Sequence, residues 1–155
     1  MSMSAPEPAR SGAQAGARPA PGKPMPRPES RALTAPFWEA ARRHELVVQR
    51  CGQCSSWVFH PREQCPECFS RELAWAPVSG RGRVYAFTVV HQPAHPGFQG
   101  ETPYTYAVIQ LEEGVRMVSN VVGCEPAEVK VDLPVEAVFD DVSAEWTLVK
   151  FRPAS

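Results

Sequence analysis

Apolar residues in the second half of the chain recur in short runs that turn-forming residues separate. The runs have the length and the β-branched and aromatic content of strands, and they cover residues 83–91, 104–111, 115–122, 134–139 and 146–151. Gly114 follows two acidic residues and can adopt the positive φ that a tight reversal between strands requires. Five short antiparallel strands predict a mostly β fold with a five-stranded barrel of the OB type.

Two further turns are predicted, one before the first of these strands and one between the last two. Ser79, Gly80, Arg81 and Gly82 precede the first strand, and Asp140, Asp141 and Ser143 separate the last two. The paired acids Glu112-Glu113 and Asp140-Asp141 are therefore interpreted as solvated turn residues, because an acid/base pair needs an enclosing site to separate its pKa values.

Residues 34–46 show helical spacing. Thr34 suits an N-cap and Pro36 suits the first turn. The predicted apolar face comprises Phe37, Trp38, Ala41 and Leu46. Phe37 and Trp38 are candidates for docking onto a partner, but the favoured interpretation is that they cover the protein's own core, as apolar stripes usually do.

Residues 46–50 predict a strand that leads directly into a pair of cysteines, and residues 57–59 predict a second short strand. The motifs C-G-Q-C at 51–54 and C-P-E-C at 65–68 stand ten residues apart. Zinc prefers four soft ligands in a tetrahedron, and each C-x-x-C turn supplies two thiolates. The sequence therefore predicts a closed structural zinc site made by Cys51, Cys54, Cys65 and Cys68.

Iron and paired disulfides are the alternatives to zinc at this site. Four of the five cysteines lie in C-x-x-C pairs, which favours metal binding in a reducing compartment over a disulfide framework. Arg50, Arg62 and Arg71 flank the ligands in sequence and could offset their negative charge. The fifth cysteine, Cys124, follows a strand and is interpreted as a small buried apolar residue rather than a reactive thiol.

The first 31 residues differ in composition from the rest. They are rich in Pro, Ala, Gly and Ser. They carry five basic and two acidic side chains, a net charge of +3, and because the whole chain has a net charge of −1, the remaining residues have a net charge of −4. We expect a disordered tail over 1–32, a helix and zinc ribbon over 33–76, and an OB-fold domain over 77–155. An acidic body disfavours nucleic acid as a partner, since such binding depends on neutralising phosphates.

No apolar run reaches the length of about 18 residues that a membrane-spanning helix needs. The N-terminus also lacks the apolar segment of a secretory signal. The sequence accordingly predicts a cytoplasmic protein without a membrane partner.

A long connection, residues 92–103, lies between the first two barrel strands. Loops of this length are often functional. His91, His95, Phe98 and Tyr104 combine polar tips with apolar bodies there, and they are candidates for a substrate channel or a partner contact. The chain has neither a G-x-S-x-G frame nor a phosphate loop, so no catalytic residue is assigned.

Taken together, these segments resemble a known family over residues 35–153. The resemblance is carried by F-W at 37–38, the two C-x-x-C motifs, S-G-R-G-R-V-Y-A-F-T-V-V-H at 79–91, P-Y at 103–104, P-V-E-A-V-F at 134–139 and K-F-R-P at 150–153. They are similar to the acyl-CoA-associated proteins in which a rubredoxin-like zinc ribbon is fused to an OB fold, known as domain of unknown function 35.

The resemblance implies a non-catalytic accessory subunit that forms a hetero-oligomer with a thiolase-like enzyme. Such a subunit would share acyl-CoA as a ligand and help to form the site for thiolysis, condensation, acyl transfer or retro-aldol cleavage. Two alternatives stay open at this point: a single-stranded nucleic-acid-binding module, and a self-sufficient enzyme that uses His91 or His95.

Overall fold

The computed structural model describes residues 32–93, 95–98 and 100–155. Residues 1–31, which hold almost all of the predicted tail, lie outside the described residues. The described part contains one α-helix and eight strands: α1 (Ala35–Arg42), β1 (Val47–Cys51), β2 (Trp57–Val58), β3 (Leu73–Pro77), β4 (Arg81–Val90), β5 (Tyr104–Leu111), β6 (Arg116–Val121), β7 (Pro134–Asp141) and β8 (Thr147–Pro153).

Helix α1 begins where the sequence predicted it, with Thr34 at the N-cap and a proline in the first turn. It ends earlier than predicted, at Arg42. His44 has a φ of 59°, and the N–H groups of Arg43 and Glu45 both donate to the carbonyl of Ala40, so the chain turns back there. The prediction that Leu46 belongs to the helical face was wrong: Leu46 is buried just before β1.

Three strands form the first sheet, in the order β2-β1-β3, and both pairings are antiparallel. Strand β2 ends one residue earlier than predicted, at Val58. Strand β3 was not predicted. Its sequence, Leu-Ala-Trp-Ala-Pro, is apolar, but alanine and proline are depleted in strands, so local propensity does not indicate a strand there. Its pairing with β1 over five residues is a long-range contact.

The remaining five strands form a closed barrel in the order β4-β5-β6-β8-β7. This confirms the predicted OB-type barrel. Alternate residues of β5 point into the barrel and are buried. The interior is filled by apolar side chains that include Val84, Ile109, Leu111, Met117, Val135 and Phe151.

Two predicted turns are shorter in the structure because strands extend into them. Arg81 and Gly82 belong to β4, and Asp140 and Asp141 belong to β7. The Asp140 carboxylate accepts a hydrogen bond of 2.5 Å from Lys150 on β8. The prediction of solvated turn acids was therefore wrong for Asp140, whose side chain is 18% exposed. The strand is longer than predicted because Asp140 and Asp141 pair with residues of β8. Local sequence does not reveal such cross-strand partners.

Helix α1 and the first sheet pack directly against the barrel. Phe37, Leu46 and Val48 belong to the same buried cluster as the barrel interior. The His44 ring stacks on Phe139 at 5.2 Å, and its Nε2 lies 3.1 Å from the Asp141 carboxylate oxygens. One continuous core thus fixes the position of the small sheet relative to the barrel.

Candidate functional site

The four cysteines of the C-x-x-C motifs lie on two turns of matching geometry. In the first turn, the N–H of Ser55 donates to the carbonyl of Cys51 at 3.0 Å. In the second, the N–H of Phe69 donates to the carbonyl of Cys65 at the same distance, 3.0 Å. Ser55 and Phe69 have φ values of 62° and 60°, so the chain reverses in the same way after each pair. Each reversal aims two sulfur atoms at the opposite turn.

All four sulfur atoms lie within 4.8 Å of one another. The Sγ atoms of Cys51 and Cys68 are 3.6 Å apart, and so are those of Cys54 and Cys65. A zinc ion with Zn–S bonds of about 2.3 Å requires sulfur atoms about 3.8 Å apart at the corners of a tetrahedron. All four thiols are free in the structure. The spacing and softness of this donor set fit a closed zinc site.

The environment of the sulfur atoms is uneven. Cys51 and Cys65 are buried, whereas Cys54 is exposed. Hydrogen bonds from the hydroxyl and the backbone of Ser56 lower the pKa of Cys54 to about 6. Thiols must lose their protons to ligate a metal, so this contact favours the ligating form of Cys54.

The neighbouring arginines make other contacts. The Arg50 guanidinium lies over the Trp57 ring, 5.1 Å from its centroid. The backbone N–H of Arg62 donates to Gln49 Oε1 at 2.8 Å, and the Arg62 carbonyl accepts from Gln49 Nε2 at 3.1 Å. The buried amide of Gln49 thus links β1 to the segment before the second turn. The signal of this role in the sequence is a polar residue, Gln49, next to apolar residues of the predicted strand.

Three of the four predicted loop residues come together. The ring centroids of His95 and Phe98 lie 6.4 Å apart, and those of Phe98 and Tyr104 lie 6.2 Å apart. The Nδ1 atom of His95 accepts a hydrogen bond of 3.0 Å from the N–H of Gly97. The fourth residue, His91, is exposed just after β4 and makes no ring contact with these three within the described part of the chain.

Phe37 and Trp38 lie beside a groove of about 410 Å³ between α1, the segment after β2 and the outer face of the barrel. Phe37 is buried in the core, in line with the favoured interpretation. The Trp38 ring is half-buried between Phe37 and Trp146, at centroid distances of 5.1 and 5.4 Å. We call this space the α1 groove; its walls include Trp38, Phe59, His60, Tyr106, Asn120 and Lys150.

The α1 groove continues into the loop cluster along β5. Tyr106, which lines the groove, and Tyr104, which contacts Phe98, both lie on the outward face of β5. Residues two apart on a strand share one face at a spacing of roughly 7 Å. We call Tyr106, Tyr104, Phe98 and His95 the aromatic band. Tyr106 was not singled out from the sequence, because only the packing of α1 against the barrel creates the groove.

Family models match both parts of the chain. Residues 38–74 match the rubredoxin-like zinc ribbon domain of ChsH2, and residues 75–140 match the C-terminal OB-fold domain of ChsH2. A DUF35 domain-containing scaffold protein of Methanocaldococcus jannaschii is 41% identical over 98 residues, which cover 63% of this chain and 69% of that protein. The chain belongs to the DUF35 family.

Other relatives of this DUF35 chain are named as subunits of enzymes. A probable enoyl-CoA hydratase alpha subunit of Thermomonospora curvata is 39% identical over 129 residues, or 83% of this chain. The benzoylsuccinyl-CoA thiolase subunit BbsA of Geobacter metallireducens is 36% identical over 79 residues, or 50% of this chain and 51% of that subunit. The DUF35 chain spans only 40% of the length of the hydratase subunit.

A solved structure of the Ltp2-ChsH2(DUF35) aldolase contains a chain with the same fold. The match has a TM-score of 0.76 and 38% sequence identity, and it covers 83% of this chain and 100% of that chain. The similarity therefore includes the ribbon, the barrel and the interface between them.

The other predicted features of the DUF35 chain are placed as follows. Cys124 is half-buried against the core, and its partial burial, with the nearby Glu128 and Glu125, raises the pKa of its thiol. No helix in the described ranges is long and apolar enough to cross a membrane.

Proposed function

We propose that this chain is a non-catalytic accessory subunit that binds a thiolase-like enzyme and helps to form the acyl-CoA site of that enzyme. The observation that carries the proposal is the match, over 83% of this chain, to a chain of the Ltp2-ChsH2(DUF35) aldolase at 38% identity. At 38% identity, we infer that the two chains share some surface residues as well as core residues. The reacting groups would then belong to the partner.

The names of the relatives support the same role. The matched proteins are a thiolase subunit, an aldolase component, a hydratase alpha subunit and scaffold proteins. The first and third of these act on CoA thioesters by name. A shared accessory function with different catalytic partners accounts for this range of reactions, since a fold alone does not fix the chemistry.

The second part of the proposal concerns the metal. We propose that Cys51, Cys54, Cys65 and Cys68 hold one structural zinc ion in the ribbon, and that the helix and ribbon of residues 33–76 pack against an OB-fold domain of residues 77–155. The sulfur spacing of 3.6 Å within each cross-turn pair supports zinc. The ion would supply folding free energy and no catalysis, because four protein ligands leave no open coordination position.

The third part concerns the surface that meets the partner and its substrate. The α1 groove and the aromatic band form one outward-facing, largely apolar surface along β5. Apolar walls with a few polar groups, here Asn120 and Lys150, suit a ligand with an apolar body and a polar end. We propose that Tyr104, Phe98 and His95 line the entrance to the shared acyl-CoA site, with Trp38 at the other end of the same surface.

The partner is tested by isolating it. We expect the tagged full-length chain, expressed in its source cells, to co-purify with a thiolase-like enzyme in stoichiometric amount. We expect the purified enzyme to turn over its acyl-CoA substrate faster with the chain than without it, and the chain alone to be inactive. A co-purifying enzyme whose stability and turnover do not respond to the chain would contradict the proposal.

The surface is tested by substitution. We expect Tyr104→Ala to weaken the stimulation at least tenfold, because aromatic residues that anchor an interface contribute most of its affinity. Phe69→Ala is the control, since Phe69 is an aromatic residue of the ribbon that is 75% exposed and lies outside the aromatic band. Equal effects of the two substitutions would remove the aromatic band from the proposal.

A further inference from the structure

The α1 groove opens where the N-terminal segment joins the described part of the chain. The described residues begin at Ala32, and Thr34, two residues later, lines the groove. A turn over residues 32–34 leads directly into α1. Residues 29–31 link Pro28 to Ala32, and four residue steps span at most about 14 Å. The sequence that ends at Pro28 is therefore held close to the groove by the chain itself.

The walls of the α1 groove combine aromatic rings with hydrogen-bond donors. The rings of Trp38, Phe59 and Tyr106 line the groove. Within the described residues, neither the indole N–H of Trp38 nor the hydroxyl of Tyr106 has a hydrogen-bond partner. Grooves lined by aromatic rings recognise polyproline II segments, because proline rings pack on them and the carbonyls of such a segment have no internal partners. The chemistry of this groove therefore fits a proline-rich segment.

The sequence just before the groove has the composition of such a ligand. Five of the ten residues 19–28 are prolines, and three of these stand in Pro24-Met25-Pro26-Arg27-Pro28. The proline ring fixes φ near −65°, which is close to the polyproline II value. A segment that is restricted in this way loses little conformational entropy when it binds. Residues 24–28 also contain no acidic side chain, and they lie nearest to the groove along the chain.

We propose that residues 24–28 of this chain dock into the α1 groove as a polyproline II segment. The proline rings pack on the rings of Trp38 and Tyr106, and the carbonyls of the segment accept hydrogen bonds from these two side chains. Because the groove is one end of the surface proposed for the partner, the docked segment covers that end in the free chain and leaves when the partner binds. This regulatory consequence rests on the proposed function, whereas the docking itself does not.

The covalent link selects this segment over other occupants. A segment joined to the groove by a short linker has an effective concentration on the order of millimolar. The same segment of a second copy, or a proline-rich segment of another protein, binds only at its concentration in solution. Charge is also complementary, since residues 1–31 carry +3 and the remainder of the chain carries −4. At the groove itself the Lys150 ammonium is paired with Asp140, so it does not oppose the positive charge of Arg27.

Nuclear magnetic resonance of the full-length chain tests the docking without any partner. We expect nuclear Overhauser contacts between the Trp38 ring and proline protons of residues 24–28. The double variant Pro24→Ala, Pro26→Ala should lose these contacts and move the indole N–H signal of Trp38, while the signal of Trp75, which does not line the groove, stays in place.

The control for this variant is a second Pro-x-Pro pair, farther along the chain from the groove. Pro6→Ala with Pro8→Ala removes that pair and should leave the Trp38 signal unchanged. An identical Trp38 signal in the wild-type chain and in Pro24→Ala, Pro26→Ala, without contacts to the prolines, would overturn the proposal. So would contacts that grow with protein concentration, since these would indicate the segment of a second copy.

The groove side of the contact is tested by a single oxygen atom. We expect Tyr106→Phe, which removes a donor and keeps the ring, to weaken the Overhauser contacts at least twofold. Tyr85→Phe is the matched control, because Tyr85 and Tyr106 are both 47% exposed and Tyr85 lies outside the groove, under the Arg116 guanidinium. Equal effects of the two substitutions would contradict the proposed hydrogen bond to Tyr106.

Binding of the co-purified thiolase-like subunit tests the regulatory consequence. We expect Pro24→Ala with Pro26→Ala to bind this subunit at least threefold more tightly than the wild-type chain, because a larger fraction of the free chain has an uncovered groove. Pro6→Ala with Pro8→Ala should bind with wild-type affinity. Equal affinities of all three chains in a complex that forms would overturn the competition and leave the proposed function intact. If no complex forms, the proposed function fails, and the resonance measurements on the free chain still decide the docking.

Discussion

The ribbon and the barrel reach a stable fold by different means. The buried cluster of the ribbon consists of Cys51, Val58 and Cys65, with Cys68 and Leu73 packed against it. The barrel buries a much larger set of branched and aromatic side chains. Three of the five ribbon residues are thiols, so little apolar area is available there to offset the loss of chain entropy. The comparison predicts that the fold of the ribbon depends on a bound metal more than the fold of the barrel does.

The largest effect should follow from removing one metal ligand. We expect Cys65→Ser to abolish stoichiometric zinc binding and to unfold the ribbon, because zinc binding contributes on the order of 10 kcal/mol in sites of this kind. Elemental analysis measures the metal, and amide exchange over residues 47–77 against 104–151 measures which region opens. Cys124→Ser, which changes a half-buried thiol elsewhere, should retain the zinc. A native chain without tightly bound metal would contradict the expected metal dependence of the ribbon.

The next largest effect should come from the barrel core. Phe151 is fully buried, and we expect Phe151→Ala to lower the free energy of unfolding by about 3–5 kcal/mol, since it leaves a cavity among residues that cannot fully relax. Chemical denaturation measures this value. Val131→Ala, at an exposed position, should change it by less than about 0.5 kcal/mol. A loss below about 1 kcal/mol for Phe151→Ala would show that the barrel does not depend on this packing.

Substitutions of two glycines, Gly82 in the barrel and Gly52 in the ribbon, compare how closely the backbone is packed in the two regions. A Cβ at Gly82 of β4 would lie 2.4 Å from the carbonyl oxygen of Gln110, which is fixed by the β4–β5 pairing. A Cβ at Gly52 would have its nearest contact at 3.4 Å, with the carboxylate of Glu72. We expect Gly82→Ala to cost about 3 kcal/mol in unfolding free energy and Gly52→Ala about 0.5 kcal/mol or less. Equal costs would contradict the close approach of β4 and β5.

The smallest effect should come from the buried amide of the ribbon. Gln49→Leu would leave the N–H and the carbonyl of Arg62 without their partner, and we expect it to cost about 1–2 kcal/mol. Zinc titration against a competing chelator, together with amide hydrogen exchange over residues 47–77, measures the loss of stability in the ribbon. Gln110→Leu is the barrel counterpart, since the Gln110 side chain accepts a hydrogen bond from the exposed Arg116, and it should change stability by less than about 0.5 kcal/mol.

The residues that the sequence placed correctly share one property: their structure depends on neighbours close in the chain. The C-x-x-C turns, the N-terminus of α1 and the reversal at Gly114 follow from local spacing and backbone preference. The errors concern long-range partners. Strand β3 exists because β1 pairs with it, and Asp140 is drawn into β7 by Lys150.

The same division applies to the functional surface. The sequence indicated His95, Phe98 and Tyr104 through the length of their loop, and the structure brings them into contact. The sequence did not indicate that Tyr106 lines a groove or that part of β4 lacks a partner on one side. Both depend on which elements pack beside these strands, and that information is spread over residues far apart in the chain.

The sequence by itself determined a ribbon with four clustered thiols and a five-stranded barrel. These features are written in periods of two residues, in turn residues and in ligand spacings, which act over a few neighbours. Only the tertiary structure decided that α1 creates a groove beside Tyr106 and that Ala86–Val90 keeps a free edge. Closure of a barrel sets the register of every strand at once, so the positions at which a strand lacks a partner cannot be deduced from any single strand.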